Sequence, residues 1–247
     1  MNNLKIIRGI KDSNSFYVES NYGLILFDTG AGSSQLLKSS VTESLEKCEE
    51  VEAHGAFGSK KLDRVIVDEL CIGNIKQKNL TVTLDDEVGI LGLDVFCNYA
   101  FTLDTINDEI ILLDSFESDI QLIKGQMGHL YVEIELGGKK GLALLDTGAS
   151  GSIIDEAFYF ETFGDTSNLD VDEGEDWTGA VFEAKVVSLD SLSINNIRFP
   201  EHEFGVIDFK KMFPFMEYPI IAIIGATTLT CKKFSFSLPN GYLKIEN

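Results

Sequence analysis

The chain has 247 residues, 44% of them hydrophobic, and a formal net charge of −20. That length holds one large or two small domains with a real core, and the composition excludes a disordered chain. The acidic balance disfavours nucleic acid and anionic membrane surfaces and suits approach of a basic peptide segment, although its plainer meaning is solubility.

Residues 1–8 lack the uninterrupted apolar stretch of a signal peptide, and no later run is long enough to span a bilayer. The first patterned segment is Phe16-Tyr17-Val18-Glu19-Ser20, which passes through Asn21-Tyr22-Gly23 into Leu24-Ile25-Leu26-Phe27 and reads as a β-hairpin. This apolar strand ends in Asp28-Thr29-Gly30-Ala31. An amphipathic helical piece is expected over 35–48. Asp68-Glu69-Leu70-Cys71-Ile72 alternates and then turns at Gly73-Asn74. Gly89-Ile90-Leu91-Gly92 leads into a short helical turn, and a closing hairpin follows over 101–113.

The same order then repeats. Tyr131-Val132-Glu133-Ile134-Glu135-Leu136 leads through a Gly-bearing turn into Leu142-Ala143-Leu144-Leu145 and a second motif, Asp146-Thr147-Gly148-Ala149. This second aspartate lies 118 positions after the first (146 minus 28). A short helix is expected near 155–163. Asp190-Ser191-Leu192-Ser193-Ile194 turns at Asn195-Asn196, 122 positions after its counterpart (190 minus 68). Ala222-Ile223-Ile224-Gly225 and a hairpin over 234–245 close the chain, now 133 positions on (225 minus 92). Growth of the offset places insertions in the second half, one of them the aromatic stretch 210–219. The chain therefore reads as two copies of one β-rich unit, 1–118 and 123–247, joined by a linker at 119–122; gene duplication explains a period too long for a solenoid.

A lone Asp-Thr-Gly is a weak signal, since many apolar strands end in a polar turn. Two copies in matching contexts present two carboxylates that can share a proton and activate a water. Cys48, Cys71, Cys97 and Cys231 show neither a Cys-x-x-Cys spacing nor a paired histidine, so neither zinc nor redox chemistry is indicated. They read as reduced thiols of a cytoplasmic protein. Cys48 and His54 lack a third group to orient them as nucleophile and base.

These residues resemble the retropepsin-like and pepsin-like aspartic proteases. In that family each lobe supplies Asp-Thr-Gly on a loop, and a glycine after two apolar residues threads behind it; Ile90-Leu91-Gly92 and Ile223-Ile224-Gly225 hold those places here. The resemblance covers almost the whole chain and implies an all-β acid-protease fold, with two pseudo-twofold-related, β-barrel-like lobes and few short helices. The alanine after each Asp-Thr-Gly looks more like the retroviral branch, whose site comes from two identical chains. This chain would be a fused, single-chain version active as a monomer. The resemblance implies Asp28 and Asp146 as the catalytic pair, supported by Thr29, Gly30, Thr147 and Gly148, with no metal and no cofactor. Its partner would be a peptide or protein substrate lying extended across the cleft. Two carboxyls brought to about 3 Å cannot both ionise cheaply, so their pKa values part. Gly30 and Gly148 allow close backbone approach.

The family covers its substrate with β-hairpin flaps. The corresponding tips here contain Gly55, Ala56 and Phe57 in the first half and Trp177 and Gly179 in the second; neither carries the tyrosine of pepsin-type enzymes. His54 is expected at the surface. The acidic run Asp170-Val171-Asp172-Glu173-Gly174-Glu175-Asp176 fails the spacing of a calcium loop and is expected to be a solvated loop; its sharper reading is a flap flank that selects basic substrate residues. Glu201-His202-Glu203 is expected as an exposed turn. Phe213 and Phe215, on a proline-bounded insertion, either wall a pocket for a bulky apolar side chain or plug the core of their own lobe. The competing functional class is a peptide-binding module that keeps the cleft without hydrolysis.

Overall fold

The computed structural model describes residues 3–8, 14–55, 57–213 and 216–246. Strands dominate, arranged in three sheets. The first half builds a seven-stranded sheet in the order Tyr17–Ser20, Gly23–Phe27, Ile90–Leu91, Gln35–Leu37, Ile75–Asp85, Ser59–Ile72, Glu46–His54. The second half builds its own sheet with the same path: Leu130–Leu136, Lys139–Leu145, Ile220–Ile224, Ser152–Asp155, His202–Ile207, Val181–Leu189, Asp170–Glu175. Small strands at Ser193–Ile194 and Ile197–Arg198 extend it beside Leu130–Leu136.

Local chemistry explains the hairpins. Leu136 pairs with Lys139 across Gly137 and Gly138, whose φ values of 60° and 76° give the left-handed two-residue turn that matches strand twist. Ile194 pairs with Ile197 across Asn195 and Asn196, at φ 47° and 65°, where asparagine tolerates that region best after glycine. In both halves the Asp-Thr-Gly strand runs parallel to the strand that ends in the glycine motif: Phe27 opposite Leu91, and Leu145 opposite Ile224.

A third, six-stranded antiparallel sheet joins the halves, in the order Asn3–Lys5, Glu109–Leu113, Ala100–Asp104, Lys233–Ser237, Tyr242–Glu246, Ile120–Gln121. Its two central strands come from opposite halves, and Thr102 pairs with Ser235, its own repeat counterpart 133 positions later (235 minus 102). Their buried hydroxyls lie 2.7 Å apart, so the pseudo-twofold axis passes through this pair. Phe101 stacks on Phe236 at 5.0 Å, and one continuous apolar core runs through both halves. The whole is an all-β, acid-protease-like fold. Among the described residues no helix is long and apolar enough to cross a membrane.

Three sequence expectations need correction. Residues 35–48 are not a helix: they form the strand Gln35–Leu37, a 3-10 turn at Thr42–Ser44 and the start of Glu46–His54. Gln35 pairs with both Thr83 and Ile90, and the Thr42 hydroxyl bonds the Leu37 carbonyl while accepting from the Ser39 amide, contacts that outcompete helix. The acidic run is not a loop. Asp170–Glu175 is a strand, held by Val181–Leu189 although it exposes its carboxylates. Glu201-His202-Glu203 is not a turn either: His202 opens the strand His202–Ile207 with its side chain buried. The helix expected near 155–163 is present as Glu156–Phe163, capped by Asp155, whose carboxylate accepts from the Phe158 amide.

Candidate active site

Each Asp-Thr-Gly loop leaves its strand at the point where the glycine motif passes behind it. The Asp28 amide donates to the Leu91 carbonyl at 3.1 Å, and the Asp146 amide to the Ile224 carbonyl at 3.0 Å. A Cβ on Gly92 would stand 2.7 Å from the Ser33 carbonyl carbon, and one on Gly225 would stand 2.0 Å from the Gly151 carbonyl oxygen. Only glycine fits these two crossings.

Thr29 and Thr147 are fully buried and exchange bonds across the halves. The Thr29 amide donates to Thr147 Oγ1 at 3.0 Å, and the Thr147 amide to Thr29 Oγ1 at 3.0 Å. Each hydroxyl then donates to a carbonyl of the opposite strand: Thr29 to Leu145 at 2.9 Å, Thr147 to Phe27 at 2.8 Å. Breaking one such buried bond strands its partner at a cost of about 1–3 kcal/mol, so the two loops are locked in one relative position. That lock brings the carboxyls face to face. A Cβ on Gly30 would lie 2.5 Å from the Asp146 carboxyl carbon, and one on Gly148 would lie 2.4 Å from that of Asp28.

The two carboxyls are alike in their supports. Asp28 Oδ1 accepts from the amides of Gly30 at 2.7 Å and Ala31 at 3.1 Å; Asp146 Oδ1 accepts from Gly148 at 2.9 Å and Ala149 at 3.1 Å. Burial, then the charge of Asp146 and a hydrogen bond with it, push the Asp28 carboxyl well above the usual carboxylate range against its two amide bonds. A hydrogen bond between two carboxyls requires a proton on one of them, and the raised Asp28 value is what such a contact produces.

The structure also brings the hairpin tips together. The Phe57 amide donates to Asp176 Oδ2 at 2.7 Å, and the Gly55 site is crowded by Asp176, Thr178 and the Trp177 indole. Lys60 spans the two hairpins, bonding Glu87 at 2.8 Å and the Trp177 carbonyl at 3.3 Å. Phe57 stacks on Phe182 at 3.7 Å and sits 6.2 Å from Phe213. Both rings belong to an apolar cluster of the second half that includes Ala149, the residue after the second Asp-Thr-Gly. The tip of one hairpin is therefore seated on the other half's apolar cluster. Gly179 turns the second tip at φ 81°. Phe213 is half-buried between Phe209 and Phe57. Ala56 and Phe215 lie outside the described residues.

Sequence reasoning missed several neighbours. Ser34 and Ser152, each six positions after its aspartate, accept from the amides of Gly92 and Gly225 at 3.0 Å and so pin the glycine crossings. Ser34 in turn donates to Asp94 at 2.6 Å, whose carboxyl burial pushes upward, whereas the Ser152 hydroxyl pairs with that of Thr228 at 2.7 Å. The common offset of 118 was the available signal for the two serines. His129, at the turn ahead of Leu130–Leu136, also stands against the first aspartate loop; no sequence pattern marks it.

Residues 132–228 match the family model described as aspartyl protease. The match covers under half of the chain and includes Asp146, Thr147, Gly148 and the second glycine motif, so this part of the chain is similar to aspartyl proteases. No curated protein matches the chain.

Proposed function

We propose that the protein is an aspartic endopeptidase whose two lobes, 1–118 and 123–247, supply Asp28 and Asp146 as one catalytic pair. The observation that carries this reading is the reciprocal exchange of hydrogen bonds between Thr29 and Thr147, which holds two carboxyls in contact. A purely structural core has no use for such a pair, because facing buried carboxyls are costly unless one holds a proton. In the proposed reaction the ionised member takes a proton from a water while the water oxygen attacks the scissile carbonyl carbon. The protonated member donates to the carbonyl oxygen, giving a tetrahedral intermediate without an acyl-enzyme. Collapse breaks the C–N bond, with a proton passing to the leaving amine.

The substrate would lie extended under the two hairpin tips, where Gly55, Phe57, Trp177 and Gly179 would contact it, and Phe213 would form an apolar wall beside the scissile bond. Four cysteines without a disulfide support work in a reducing compartment. Limited processing of an intracellular peptide or protein precursor by a monomer fits these features.

The test is incubation of the purified chain with a peptide mixture, with and without a statine-type transition-state analogue. Inhibitor-sensitive cleavage is expected, and Asp28→Asn or Asp146→Asn should each abolish it, nearly as completely as the double change, because the pair acts as a unit. Retention of most activity in folded Asp146→Asn would refute the shared-proton mechanism. Tight binding of the analogue with no cleavage by the native chain would instead establish a peptide-binding module.

A further inference from the structure

Residues 125–129 form a turn between Ile123–Lys124 and Leu130–Leu136 that lies directly against the first aspartate loop. A Cβ on Gly32 would fall 1.8 Å from the Met127 carbonyl oxygen, and one on Gly128, at φ 91°, would fall 3.0 Å from Gly32 Cα. Two backbones this close fix the turn, and with it His129, which is half-buried with its ring at the Gly30 backbone.

The surroundings of the ring are specific. Its Nδ1 stands 3.3 Å from the Tyr131 hydroxyl, which also reaches Met216 Sδ at 3.8 Å. Tyr131 is packed edge-on against Tyr218 at 5.1 Å. Glu217, from the second-half insertion, accepts from the Gln126 amide at 2.7 Å and so closes over the same turn. The charged groups that act on His129 are Asp146 and Glu217, both acidic, and Gly30 presents only backbone. A proton on this ring would therefore face Asp146 of the pair and Glu217 of the insertion, with no cation opposing it among the groups that act on it.

We infer that His129 is a positioning residue for the carboxyl pair: when protonated, it holds the pair's single negative charge in place. This inference rests on the endopeptidase reading for its effect on rate, but not for the electrostatic coupling itself. Burial, the largest influence on the imidazole, holds its pKa below the usual histidine value, while Asp146, Glu217 and the Gly30 backbone act the other way. The ring is consequently neutral near pH 7 and gains its proton only as the medium becomes acidic, the range in which a carboxyl pair loses its single negative charge. A cation beside a carboxylate favours the ionised form. Protonated His129 thus keeps the pair able to accept a proton from water at a pH where it would otherwise be fully protonated and idle.

Coupling between two sites is reciprocal, which permits a test independent of activity. The protein has three histidines, so the His129 resonances can be assigned by their loss in His129→Gln. Titration of the imidazole by NMR should show its pKa falling in Asp146→Asn and falling less in Glu217→Gln. An unchanged midpoint in Asp146→Asn, with the variant folded, overturns the inference whatever the protein's activity. In the rate assay, His129→Gln should move the acid limb of the kcat/KM profile to higher pH by about one unit, the low end for a charge close to a carboxylate. A profile superimposable on that of the native chain also overturns it. A native chain that cleaves nothing defeats the endopeptidase reading alone, because the NMR titration still reads the coupling.

Discussion

At the scale of single residues, the carboxyl pair makes a stability prediction as well as a catalytic one. Asp28 binds its proton more tightly in the folded chain than in the unfolded one, because burial and Asp146 both raise its pKa. Between the ordinary carboxylate range and that raised value, the folded state carries more protons, so stability falls as pH rises through this window. Asp28→Asn removes the group and keeps an oxygen to accept from the Gly30 and Ala31 amides. The variant should therefore melt at a higher temperature than the native chain at pH 7, and the gap should shrink as pH falls and close below about 4, where the carboxyl becomes protonated in the unfolded state as well. Melting curves that stay parallel from pH 4 to 8 would show that no such tension exists. The two aspartates were legible in the sequence because their motif occurs twice in one context. Ser34 and Ser152 were not, since serine after a turn is commonplace until the amides of Gly92 and Gly225 are seen to need acceptors. His129 was beyond reach: it meets Gly30, far away in the chain, only through the fold.

At the scale of elements, period-two alternation made nearly every hairpin readable, including the closing pairs Ala100–Asp104 with Glu109–Leu113 and Lys233–Ser237 with Tyr242–Glu246. It failed where tertiary pairing decided the outcome. Gln35–Leu37 is a strand only because Thr83 and Ile90 flank Gln35, and Asp170–Glu175 is a strand only because Val181–Leu189 zips to it. The second case matters for function, since this pairing carries Asp176 to the Phe57 amide and ties the two hairpins together. The stack of Phe57 on Phe182 is worth about 1 kcal/mol beyond area burial, so its loss should shift a closed-to-open equilibrium of the tips about fivefold. Trp177 is the single tryptophan of the chain and lies at this junction, which makes it a reporter. Phe57→Ala should redden its emission and increase quenching by acrylamide at an unchanged melting temperature. Quenching equal to that of the native chain would mean that the tips are held together by Asp176 and Lys60 without the stack.

At the scale of the whole molecule, the repeat offset predicts where symmetry is kept and where it is spent. The four inner strands of the central sheet keep one offset of 133: Ala100–Asp104 maps on Lys233–Ser237, and Glu109–Leu113 on Tyr242–Glu246. Thr102 and Ser235 lie on the axis itself and bond each other, as residues of two identical chains would across a dimer interface. Away from the axis the halves differ most between His202–Ile207 and Ile220–Ile224, where the insertion brings Met216, Glu217 and Tyr218 to the turn that holds His129. A symmetric pair of chains would have to carry such a segment twice; one chain can confine it to one side of the cleft and read a substrate with two different walls. Because strands of both halves and of the segment 119–122 already build the central sheet within one chain, the two aspartate loops meet without a second copy, and activity should belong to the monomer. Sedimentation and activity per mole, followed together over a thousandfold dilution, should show one species of 27.3 kDa and a constant specific activity. A steep loss of specific activity that tracks dissociation of a dimer would mean that the pair of aspartates in one chain is not sufficient, and the fused-lobe reading would fall.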